Sequence, residues 1–176
     1  MMTAKKANKV VFNIAVSVIA VVGSFKVASA APEDDPWGGV RNFDAEISAA
    51  NQTTFTKSDG RGTARLSFDI ETLEMTWEIE YADLTSPPVG IHLHGPAQPG
   101  TNAVEIVDLG VNGLRSPIKG TVTIPDAYAQ YMLLGWSYVL LKTEKYPDGE
   151  LRGKVDVVPP PDYLEKSRAW GRGEIE

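Results

Sequence analysis

Two stretches of strict alternation limit what this chain can fold into. Within residues 63–69 the apolar Ala64, Leu66 and Phe68 fall at every second position, with Arg65, Ser67 and Asp69 between them. Within residues 75–81 the pattern repeats, with Met75, Trp77, Ile79 and Tyr81 set against Thr76, Glu78 and Glu80. Neighbouring side chains of an extended backbone point to opposite faces, so each stretch reads as a strand with one dry and one wet face. The short connection 70–74 suits a hairpin. Further strands are expected at 44–50, 89–94, 103–109, 118–124, 138–143 and 151–158, each bounded by turn residues such as Lys57-Ser58-Asp59-Gly60 and Ser86-Pro87-Pro88. One helix is expected at 127–134, opened by Pro125-Asp126 and stopped by Gly135. The pattern predicts an all-β fold, an antiparallel β-sandwich of Greek-key, superoxide-dismutase-like or immunoglobulin-like type, with one short helix.

No cysteine occurs among the 176 residues, so neither disulfides nor thiolate ligands can hold this fold together. Packing and ladder hydrogen bonds must do so. Residues 1–30 read as a secretory signal peptide. Lys5, Lys6 and Lys9 precede the apolar run 10–23, and Ala28-Ser29-Ala30 gives a small-x-small cleavage pattern. That run is shorter than the roughly 20 residues a membrane-crossing helix needs. Once the leader is removed, no membrane span is expected, and the chain is expected in the periplasm or secreted; the alternative is a leader kept as an uncleaved N-terminal anchor. Residues 31–42, rich in Pro, Gly and acid, read as a flexible lead-in, and 43–158 as the domain. Pro159-Pro160-Pro161 then opens a charged tail, 159–176, which reads as mobile.

The net charge is −6, and the leader lysines supply part of its positive side. An acidic mature surface repels phosphate backbones, so nucleic acid is not an expected partner. Another envelope or extracellular protein is. Tyr163, Leu164 and Trp170 in the tail are the residues expected to dock on it.

The most distinctive stretch is Ile91-His92-Leu93-His94-Gly95-Pro96-Ala97. It resembles the H-x-H-G-P-A signature of the CHRD family, a domain first named from chordin and common in secreted bacterial proteins. Leu133-Leu134-Gly135 with Tyr138-Val139, and Pro147-Asp148-Gly149-Glu150-Leu151-Arg152-Gly153, follow in the family's order. The resemblance spans roughly 43–157 and implies an extracytoplasmic β-domain without an established reaction. One departure is visible. Where the family commonly carries a histidine before the threonine of the last hairpin, this chain has Lys142 before Thr143.

His92 and His94 are two apart on an expected strand and therefore share a face. Two imidazoles so placed suit Zn²⁺ or Cu²⁺. The His-x-His strand also resembles that of copper-zinc superoxide dismutase. These are, however, the only two histidines, so any third ligand must be a carboxylate, with Asp108, Glu150 and Asp148 as candidates. Lys142 nearby would oppose a metal. The competing reading has both imidazoles bonded to loop backbone and pinning the Gly95-Pro96 turn. Pro147 and Gly149 read as a second structural turn, and Glu150 and Arg152 as a solvated surface pair or, with Lys142, a salt-bridge network. No nucleophile motif or phosphate loop is present, so no catalytic residue is expected. Three readings therefore stand: a non-enzymatic binding or scaffolding domain without a cofactor, a copper- or zinc-binding module, and, weakest, a dismutase-like enzyme.

Overall fold

Alternation sets the pairing of the first three strands. In the computed structural model, which describes residues 38–173, β1 (Val40–Ser48), β2 (Arg61–Asp69) and β3 (Glu74–Ala82) form an antiparallel meander. Leu66 sits between Phe43 and Trp77, and Ala64 between Ala45 and Ile79. All six side chains are buried. The leader expected at 1–30 lies outside the described residues. β1 begins at Val40, inside the expected lead-in, because Asn42 and Phe43 are paired with Val158 and Val157 of the final strand.

The remaining elements are β4 (Pro88–His94), β5 (Glu105–Asp108), β6 (Ile118–Thr123), α1 (Asp126–Leu133), β7 (Tyr138–Thr143), β8 (Leu151–Lys154), β9 (Asp156–Val158) and α2 (Tyr163–Gly171). The strand order is β5-β4-β7-β8-β1-β2-β3-β6, with β9 also on β1. All strand pairing is antiparallel, as the alternation requires. The ladder is continuous and curled, joined at β8–β1 through the single pair Ser48–Arg152. The last strand, expected unbroken over 151–158, is divided at the buried Val155, whose N–H turns to the Ser137 carbonyl at 3.0 Å.

The ends of the curled sheet meet across the core. Trp77 of β3 donates its indole N–H to the Leu109 carbonyl just beyond β5, at 2.9 Å. The indole lies over Gly120 of β6, where an added Cβ would come within 2.1 Å of the ring. One continuous apolar core results, drawing on β1 to β8 and on Ala129 and Met132 of α1.

Helix α1 ends as its sequence signals. Gly135 has φ +66°, its N–H bonds the Met132 carbonyl at 2.9 Å, and the Trp136 N–H bonds the Tyr131 carbonyl at 2.8 Å. The Trp136 carbonyl is thereby aimed at the Ala97 N–H, 2.8 Å away, and holds the segment after β4. After the three prolines the tail winds into α2, with Asp162 and Lys166 paired at 2.5 Å one turn apart. Tyr163 is partly exposed there, whereas the side chains of Leu164 and Trp170 lie outside those described. Among the described residues, no helix is long and apolar enough to cross a membrane.

Candidate metal centre

Strand β4 divides its side chains sharply. Ile91 and Leu93 are fully buried in the core. His92 and His94 stand on the opposite face, their ring centroids 6.1 Å apart and nearly perpendicular. Gly90 makes this possible, because the His92 ring leans back over it and a Cβ at residue 90 would lie 2.7 Å from Cε1. The bulk of β7 flanks the pair on one side, with Leu140 opposite His92 and Tyr138 opposite His94. On the other side β5 places Asp108 opposite His92.

A bulge between Leu93 and His94 then shifts the register by one, so that Glu105, not Ile106, faces His94. Residues 105 and 108 would point to opposite faces of a regular strand. The bulge brings both carboxylates to the histidine face. One donor atom from each of His92, His94 and Glu105 falls within 4.8 Å of the others. The Glu105 carboxylate is 3.5 Å from Nε2 of His92, and that of Asp108 is 4.0 Å from the same atom. Asp108 also accepts the Gly110 N–H at 2.8 Å. Glu105 is the site residue that sequence reasoning missed. Its only signal would have been the bulge, which alternation does not reveal.

The protonation of His94 follows from its neighbour. Nδ1 is 3.0 Å from the Ala103 carbonyl, which can only accept, so Nδ1 carries the proton. Nε2 then presents a lone pair, and this atom is buried with no hydrogen-bond partner. Nδ1 of His92 is likewise buried and unpartnered. Burial is the main cause that lowers both imidazole pKa values below 6.5. Lys142 adds to the lowering, while Glu105 opposes it, joined at His92 by Asp108. The rings are therefore neutral at neutral pH, the form that ligates metals.

Glu150 does not join this cluster. It is fully buried, and both its oxygens are engaged by Ser58 Oγ at 2.7 Å, Thr143 Oγ1 at 2.6 Å, and the N–H and Oγ1 of Thr85, each at 2.9 Å. The surface pair expected of Glu150 and Arg152 is thus replaced by two separate buried groups. Arg152 is 6% exposed and donates to Asn102 Oδ1 at 2.9 Å and the Thr101 carbonyl at 2.6 Å. Gly149, at φ +130°, closes the turn after Pro147 with its N–H on the Tyr146 carbonyl. Gly95 bonds the Val104 carbonyl at 3.1 Å as Pro96 ends β4.

The arrangement offers two nitrogen donors and one carboxylate. A tetrahedral ion with bonds near 2.1 Å separates its ligands by about 3.4 Å. The Glu105 carboxylate, half-exposed and 3.5 Å from Nε2 of His92, already stands at about that separation. A family model described as CHRD domain matches residues 43–155. No curated protein and no solved structure matches the chain.

Proposed function

The chain belongs to the CHRD family, and from that premise we propose that it is an exported, non-enzymatic domain that binds one divalent transition-metal ion through His92, His94 and Glu105. The observation that carries this reading is the cluster in which one donor atom from each of His92, His94 and Glu105 lies within 4.8 Å of the others, beside a buried Nε2 of His94 that has no hydrogen-bond partner among the described residues. A buried acceptor without a donor costs roughly 1–3 kcal/mol, and a metal ion removes that cost. The unpartnered Nε2 also favours the metal over the turn-pinning role: the Nδ1 bond to Ala103 serves the loop, while Nε2 has no partner among the described residues.

Two imidazoles and a carboxylate suit Zn²⁺ or Cu²⁺ better than Ca²⁺ or Mg²⁺, which prefer all-oxygen sites. Glu105 neutralises part of the ion's charge, and Asp108 supplies further negative potential against Lys142. The export component rests on the leader motif at 1–30.

Elemental analysis of tag-free protein, exposed to Zn²⁺ or Cu²⁺ and then desalted, should find one ion per chain, with a higher melting temperature than the chelated form. The variant carrying both His92→Ala and His94→Ala should retain no ion and show no shift. Absence of metal from the wild-type protein, or equal loading of the double variant, removes the proposal.

A further inference from the structure

The outer face of the β4-β7-β8 ladder carries a three-layer stack that runs from the histidine pair to the second distinctive motif of the sequence. The His94 ring lies on the Tyr138 ring, centroids 5.0 Å apart and planes within 10° of parallel. The Arg152 guanidinium covers a Tyr138 face as well, with its central carbon 3.6 Å from the ring centroid. All three residues are buried.

The same three side chains grip one short segment of backbone. Arg152 donates to the Thr101 carbonyl and to Asn102 Oδ1. The Tyr138 hydroxyl accepts the Ala103 N–H at 2.9 Å. His94 Nδ1 donates to the Ala103 carbonyl. The loop that leads into β5, and so to Glu105, is therefore fastened at residues 101–103 by the stack that sets the plane of His94.

We infer that Tyr138 and Arg152 are positioning residues for the metal centre: the stack fixes the plane and tautomer of His94 and, through the 101–103 loop, the approach of Glu105. This inference rests on the metal-binding reading above. It assigns a purpose to a buried arginine that is paired with no carboxylate among the described residues. A guanidinium is planar and always charged, so it both stacks on an aromatic face and clamps two acceptors at fixed angles. Lysine keeps the charge and loses both properties. Groups that orient a ligating imidazole through its second nitrogen typically alter metal affinity 10–100-fold when removed. Coupling is reciprocal, so an ion bound by His94 and Glu105 must in turn steady the loop.

The test uses the full chain with Zn²⁺ or Cu²⁺ as the probe. Arg152→Lys should weaken affinity at least tenfold and change the Cu²⁺ EPR spectrum, with the chelated variant still folded by circular dichroism. Should that variant fail to fold, Tyr138→Phe and the exposed Asn102→Ala carry the test, each expected to weaken binding several-fold. In the unaltered protein, Zn²⁺ should slow hydrogen exchange at the Ala103 amide. Unchanged affinity and spectra in folded variants, together with unchanged exchange at Ala103, would overturn the positioning role while leaving the metal site intact. Failure of the wild-type protein to bind either ion is the separate result that removes the underlying reading.

Discussion

Single residues decide the chemistry here, and Glu150 shows how far a motif can mislead about placement. Its position next to a turn and two before Arg152 suggests an exposed charge. Its actual partners, Ser58, Thr85 and Thr143, come from three separate parts of the chain. Nothing local in the sequence announces them. Burial alone would raise the carboxyl pKa, but hydrogen bonds from Ser58, Thr143 and Thr85 outweigh it and hold the value below 4.5. The folded-state pKa thus lies below the unfolded one, and the unfolded chain binds the proton more readily. The stabilisation is complete above the unfolded pKa and is lost as pH falls through the folded one. Glu150→Gln keeps the shape, but its amide nitrogen meets donors where a carboxylate oxygen accepted them. It should cost about 1.5–3 kcal/mol near neutral pH. Urea unfolding at pH 7 and in the acid range should show the difference narrowing below pH 4.5. A gap that stays constant across that range contradicts the role assigned to the carboxylate.

At the level of elements, the strands were legible because burial imposes period two, and β2 and β3 match their alternation residue for residue. Helix α1 was legible from its stop glycine. The bulge in β4–β5 was not, because it is a property of two paired strands and leaves no mark on either alone. It is also why Asp108 could be named from sequence and Glu105 could not. The break at Val155 escaped for a similar reason: its N–H follows Ser137, a partner known only once the sheet has closed. Closure itself depends on Trp77 lying across Gly120 and bonding Leu109. Gly120→Ala must displace a rigid, buried ring, so it should destabilise by about 1–3 kcal/mol. Chemical denaturation compared with Thr121→Ala, one residue along the same edge strand, checks this. Equal stabilities would show that the indole is not confined by β6.

For the whole molecule, a cysteine-free chain has no disulfides to hold it, and the large apolar core drawn from eight strands and α1 accounts for how it stays folded. The sheet brings the family's two distinctive motifs together on one outer face, the histidines from β4 and the arginine from β8, with β7 between them. That convergence ties the fold to the function proposed for it. Pulsed EPR of tag-free protein carrying one equivalent of Cu²⁺ tests the claim most directly. Two coupled imidazole nitrogens are predicted, falling to one in His94→Ala. A spectrum with no imidazole coupling, or one unchanged by His94→Ala, would contradict it.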